Sequence, residues 1–144
     1  MKNSAQPIRV VFDSNVFLAA IFGRKKAGLG PARQAFELAR RRRIHLIASP
    51  DIFHEVARVL SDKFGWSAGE KKDAIRVMRQ AVKEYIKPKV SLAVVSHESD
   101  NRVLECAVSA KADLIVSGDH RLKALKTYRG LAIISTADLM HMFS

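Results

Sequence analysis

Four acidic residues stand where an alternating strand and helix chain could gather them: Asp13, Glu55, Asp100 and Asp119. Asp13 directly follows a β-branched run at 8–12, and Asp119 follows the apolar stretch at 114–116. Glu55 lies about one and a half turns into a helix that follows the apolar run 44–48, and Asp100 comes just before a helix expected over 101–111. In an open parallel sheet, sites form outside the carboxyl ends of the strands, so acids distant in sequence could share one edge. Crowded carboxylates repel one another unless protonated or bridged by cations. A cluster of hard oxygens with no cysteine and no histidine pair suits Mg²⁺ or Mn²⁺, with Asp13, Asp100 and Asp119 as the expected ligands. One or two such ions would make water a better nucleophile and stabilise the oxygens of a phosphodiester, with Glu55 as a further ligand or an orienter of that water. Each acid also has a simpler explanation: Asp13 and Asp119 as turn or cap residues, Asp100 as an N-cap, Glu55 as a solvated helix charge. Four at equivalent places, in a chain with only 14 Asp plus Glu, favour the shared site.

The elements that must position these acids follow from periodicity. Strands are expected at 8–12, 44–48, 90–95, 114–116 and 131–134, and helices at 16–22, 32–43, 51–62, 68–86, 101–111, 121–126 and 136–143. Ser49-Pro50-Asp51 reads as a helix start, because serine caps, proline fixes the first-turn dihedral and aspartate faces the positive end of the dipole. Ser135-Thr136-Ala137-Asp138 has the spacing of a capping box. Phe64-Gly65-Trp66-Ser67 separates two helices of a hairpin, with Trp66 packing into its own domain. On the third of the seven helices Ile52, Phe53, Val56, Val59 and Leu60 share one face, and Glu55 sits at its margin. Strands that are mostly continuous apolar runs, alternating with helices, predict an α/β fold with a parallel sheet covered on both faces. At 144 residues, a single domain spanning residues 1–144 is expected.

Twenty-five Lys plus Arg against 14 Asp plus Glu leave a formal charge of +11 and a sequence pI near 10.2, a balance that attracts phosphate backbones. Nucleic acid is the expected partner, with a solubility device as the plainer alternative. Arg24, Lys25 and Lys26 are the favoured phosphate contacts; the run Arg40, Arg41, Arg42 and Arg43 could be no more than a helix C-terminus complementing its dipole. The single cysteine, Cys106, has no partner for an internal bridge and is expected in the core. No apolar stretch approaches the roughly 20 residues of a membrane span, and no signal-peptide pattern opens the chain, so a cytoplasmic location is expected. The five histidines show no metal-ligand spacing, and only His120 adjoins a proposed ligand.

Val11-Phe12-Asp13-Ser14-Asn15, Glu55, the stretch Asp100-Asn101-Arg102-Val103-Leu104-Glu105-Cys106-Ala107, and Ile115-Val116-Ser117-Gly118-Asp119 together resemble the PIN-domain family over nearly the whole chain. The similarity is closest to the small stand-alone members grouped as toxins of toxin–antitoxin pairs. The resemblance implies a three-layer α/β/α sandwich with a central parallel sheet of about five strands in the order 3-2-1-4-5. It also implies a Mg²⁺-dependent endoribonuclease, with Asp13, Glu55, Asp100 and Asp119 as the acids and Asn15 and Ser117 as supporting residues. A homodimer and a cognate antitoxin are further implications of that likeness. One departure is the segment His97-Glu98-Ser99-Asp100, where relatives carry a more acidic run, which leaves the number of ions open. Glu105 is expected on the polar side of its helix as a solvated charge. A housekeeping RNA-processing nuclease, a catalytically silent RNA-binding module and a phospho-receiver domain are the rivals. The receiver needs a lysine after its last strand, and none follows 131–134.

Overall fold

The computed structural model describes residues 6–23 and 30–144. Arg24, Lys25 and Lys26, the expected phosphate contacts, lie outside the described residues. In chain order the elements are β1 (Arg9–Phe12), α1 (Ser14–Phe22), α2 (Pro31–Arg40), β2 (His45–Ala48), α3 (Pro50–Phe64), α4 (Ala68–Ala81), β3 (Glu84–Tyr85), α5 (Glu98–Ser109), β4 (Leu114–Val116), α6 (His120–Lys123), β5 (Thr127–Tyr128), β6 (Leu131–Ile134) and α7 (Thr136–His141).

β1 is the centre of the sheet because it is apolar on both faces. Val10, Val11 and Phe12 are fully buried, and they pair in parallel with β2 (Val10 opposite Leu46) and with β4 (Val10 opposite Leu114). The full order is β3-β2-β1-β4-β6-β5, with every pairing parallel except β5 with β6. The fold is therefore α/β, a mostly parallel sheet flanked by helices, and its five parallel strands follow the expected order. The sixth strand, β5, was not expected. Arg129 (φ 51°) and Gly130 (φ 81°) close a two-residue turn that lets Tyr128 pair with Leu131, and consecutive positive φ values are what such tight hairpins require.

Phe17 on α1 meets Phe12, Phe36 and Phe53 edge-on, which joins β1, α2 and α3 into one core cluster. α3 starts as its sequence suggests: the Ser49 hydroxyl accepts from the Ile52 N–H, Pro50 follows, and Gly65 closes the helix with φ 64°. Trp66 lies half-buried against the core, edge-on to Phe22. The Ser135–Asp138 capping box forms, and Cys106 is fully buried. Among the described residues no helix is long and apolar enough to cross a membrane.

The third strand is where sequence and structure differ most. It is not 90–95 but Glu84–Tyr85, opposite Ile47 and Ala48, and it takes the end of what read as a helix to residue 86. Residues 90–95 form no strand because side chains of α5 take their backbone groups. Asn101 Oδ1 accepts from the N–H groups of Val94 (2.9 Å) and Val95 (3.0 Å), and its amide donates to the Val95 carbonyl at 2.8 Å. Glu105 accepts from Leu92 N–H at 2.8 Å, and the Ser109 hydroxyl accepts from Lys89 N–H at 3.0 Å. Asn101, Glu105 and Ser109 are four residues apart on one helical face, so an extended strap is fastened along that face. This overturns the solvated reading of Glu105. It is 5% exposed, covered by the strap, and paired with Arg102 at 2.8 Å.

The arginine run is built into the fold. α2 ends at Arg40 rather than 43, and Arg42 turns the chain at φ 58°. The Arg42 guanidinium then donates to the carbonyls of Ala81 (3.0 Å) and Gln80 (3.2 Å) at the C-terminal end of α4, while Arg43 lies over the Phe143 ring.

Candidate active site

The carboxyl ends of β1 and β4 lie side by side, and the chain leaves both toward one cleft of about 250 Å³. Asp13, Glu55, Asp100 and Asp119 all line it. Asp13 caps α1: its Oδ1 accepts from Val16 N–H at 3.0 Å, and its backbone N–H donates to the Val116 carbonyl at 3.0 Å, which ties it to β4. Its other oxygen accepts a short hydrogen bond from the Ser117 hydroxyl. Ser117 Oγ in turn accepts from the Asp119 N–H at 2.9 Å, so one fully buried hydroxyl aligns two of the acids. Asn15 lines the same cleft from the first turn of α1.

Asp100 does not precede α5 but sits in its first turn, behind His97 at the N-cap. It is 5% exposed, and its Oδ2 is buried with no hydrogen-bond partner among the described residues. A buried carboxylate oxygen left open is costly unless something else approaches it. Glu55 reaches the cleft from the margin of the apolar face of α3, as expected, and Asp119 caps the short α6 by accepting from Arg121 N–H at 2.7 Å.

Basic residues that the strand-end pattern did not single out share this cleft. Arg58 grips Glu55 with two bonds, Nε to Oε1 at 2.9 Å and Nη2 to Oε2 at 3.0 Å. Arg121 reaches Asp119 with Nη2 to Oδ2 at 3.1 Å. Lys63 and His97 also line the walls, whereas His120 is exposed and outside the lining. The signal for the arginines was present in the sequence: Arg58 is one helical turn from Glu55, and Arg121 is two residues from Asp119.

The acids are electrostatically unequal. Burial pushes Asp13 from its ordinary 3.8 up to about 6; the bonds from Ser117 and Val16 oppose this, and the charges of Asp100 and Asp119 add to it. Asp100 is also raised, first by burial and then by Asp119. Asp119 is lowered, chiefly by its hydrogen bond from Arg121. Among the described residues no three acidic, histidine or cysteine groups form a ready-made metal cage. Glu55 and Asp119 are turned onto their arginines instead. The unpartnered Asp100 oxygen and the oxygen-only set of acids lining the cleft still fit a divalent cation, which would supply the counter-charge they lack.

A family model for the PIN domain matches residues 9–121. No curated protein matches the chain. Among solved structures it is similar to that described as the crystal structure of PAE2754 from Pyrobaculum aerophilum, with 13% identity, a TM-score of 0.59, and coverage of 95% of this chain and 97% of that one. At that identity the likeness concerns the fold alone. The family match spans every element from β1 to the start of α6 and takes in all four acids, so the chain belongs to the PIN-domain family, whose members are in general nucleases.

Proposed function

We propose that this protein is a metal-dependent endoribonuclease that hydrolyses RNA phosphodiester bonds, using Mg²⁺ or Mn²⁺ held by Asp13, Asp100 and Asp119. The observation that carries the reading is the buried Asp100 oxygen, without a hydrogen-bond partner among the described residues, on a residue that lines the same cleft as the buried Asp13. Such a pair is held at an energetic cost that a bound cation would remove. A divalent cation there would supply a more acidic water and positive charge for the attacked and departing oxygens of the phosphodiester.

The residues of the chain then divide the remaining work. Ser117 fixes one Asp13 oxygen by donating to it and fixes the Asp119 backbone by accepting from it. Val16 N–H fixes the other Asp13 oxygen, so that acid is oriented before any ligand arrives. Glu55, on a rigid helix at the cleft's margin, is placed to orient the attacking water or to complete the ligand set. The +11 charge supports a polyanionic substrate, and four acids concentrated beside a polyanion would be a liability in a module that only binds RNA.

The toxin role, a cognate antitoxin and a homodimer belong to the same proposal and rest on the likeness of the motifs to the stand-alone toxin group. Cleavage of a mixed single-stranded RNA pool by wild type and Asp13→Asn, each with Mg²⁺, Mn²⁺ or EDTA, tests the nuclease. Metal-dependent cleavage lost in the variant supports it, and equal cleavage in both rejects the site. Growth arrest on expression, relieved by a small protein encoded beside this gene, supports the toxin role; expression without effect on growth argues for RNA processing instead.

A further inference from the structure

Arg58 and Arg121 approach the cleft from different elements, α3 and α6, and each engages one of the proposed acids: Glu55 at 2.9 and 3.0 Å, Asp119 at 3.1 Å. Their side chains are 57% and 58% exposed, whereas the Glu55 and Asp119 side chains are 20% and 11% exposed. The carboxylates are therefore the more buried member of each pair, and the guanidiniums lie on the solvent side. Among the described residues no arginine is bonded to Asp13 or Asp100, the more buried acids of the same cleft, and Asp100 Oδ2 has no hydrogen-bond partner.

The charge of the cleft bears on the role of these arginines. Four ionised acids face three permanent cations, Arg58, Lys63 and Arg121, a balance of −1 that becomes +1 when one divalent ion enters. A cation that takes over Asp119 takes from Arg121 the acid it is bonded to, and one that takes over Glu55 leaves Arg58 only the exposed Asp62 at 3.4 Å, in each case at the mouth of a cleft that is now positive. Guanidinium is the cation suited to both states, since its fork matches the two oxygens of a carboxylate and of a phosphodiester equally well. An exposed pair of this kind is weak enough to be exchanged.

We propose that Arg58 and Arg121 serve two successive roles. They are internal counter-ions on Glu55 and Asp119 before metal enters, and phosphate-binding residues for single-stranded RNA after a divalent cation has displaced them. The assignment rests on the nuclease reading above and adds to it the groups that would hold the substrate backbone.

The test uses the full chain as wild type, Arg58→Ala, Arg121→Ala, Arg58→Lys and Arg121→Lys. Mn²⁺ binding is measured by electron paramagnetic resonance without RNA, and binding of a short labelled single-stranded RNA is measured by anisotropy in Ca²⁺ over a range of salt. Each alanine variant should bind Mn²⁺ about two- to five-fold more tightly, because a weak competitor for the carboxylate is gone. Each should bind RNA roughly ten-fold more weakly, with the slope of log K against log salt reduced by about 0.7. The lysine variants should keep the salt slope and lose part of the affinity. Mn²⁺ affinity that is unchanged or weaker in the alanine variants, or an unchanged salt slope, overturns the assignment. If wild type binds no Mn²⁺, the nuclease reading falls with it. If wild type binds Mn²⁺ and cleaves while the variants match it throughout, only the arginine roles are lost.

Discussion

Asp13→Asn should make the metal-free protein more stable at neutral pH while removing its response to metal. Asp13 is 2% exposed, and its pKa stands at about 6 against an ordinary 3.8. A displacement of that size costs the folded state about 3 kcal/mol once the carboxyl is ionised. The sign follows from proton binding. Between pH 4 and 6 the folded chain holds this proton more tightly than the unfolded chain, so stability contributed by the site is full below about 3.8 and is lost as pH rises through about 6. Asparagine carries no charge, keeps an oxygen for Val16 N–H, and presents its amide to Ser117 Oγ. Allowing for a poorer Ser117 bond, the net gain should be about 2 kcal/mol, or roughly 4–8 °C in Tm for a chain of this length. Thermal unfolding in EDTA from pH 4 to pH 8 measures it. The gap between variant and wild type should be small near pH 4, open up to pH 6 and stay level above. Mg²⁺ at about a hundred times its Kd should then raise wild-type stability by about 2.7 kcal/mol and move the variant far less. A variant no more stable than wild type at pH 7.5 in EDTA would refute the reasoning, because the buried charge would then carry no cost.

Asn101→Ala removes three hydrogen bonds to the strap and should cost about 2 kcal/mol, with faster amide hydrogen exchange confined first to residues 92–96. Arg42→Ala loses two bonds to α4 carbonyls and should lower stability by about 1 kcal/mol without altering the salt slope of RNA binding. Arg42→Gly should fall less, since glycine relieves the φ of 58°; a change in salt slope would instead make Arg42 a phosphate contact. Cys106, fully buried and with its thiol pushed up to about 12, should resist a thiol reagent at pH 8 in the folded protein and react promptly in urea. Rapid labelling of the native protein would show that the core opens far more readily than its packing indicates.

Much of the site was legible because it lies where local sequence determines geometry. Asp13 and Asp119 each follow an apolar run, so knowing the strands nearly places the acids; Ser49, Pro50 and Ser135 announce helix starts by chemistry that acts within four residues. Residues 90–95 were different. Their apolar, β-branched composition satisfies a strand pattern, but the partners of their backbone groups are Asn101, Glu105 and Ser109, a long-range arrangement that composition does not encode. Misplacing that strap also misplaced Glu105, since the helical face judged open to water is the face the strap covers. Glu84–Tyr85 is only two residues long and adjoins a helix, so periodicity had no window in which to detect it. The arginines of the cleft lay within one turn of their acids, but a basic side chain on an exposed helical face ordinarily signals only solvation, and the cleft gives that spacing its meaning.

The most direct test of the central claim is the chemistry of the cut ends. A short single-stranded RNA, and the same RNA with a 2′-deoxy sugar at the cleaved position, would be treated with wild type in Mn²⁺ and the termini identified by mass spectrometry. Attack by water at a carboxylate-held cation predicts no 2′,3′-cyclic phosphate, cleavage of the deoxy substrate, and complete loss of both reactions in EDTA or in Asp100→Asn. Cyclic phosphate ends that persist in EDTA would mean the 2′-hydroxyl is the nucleophile, and the four acids would not be the site of the reaction.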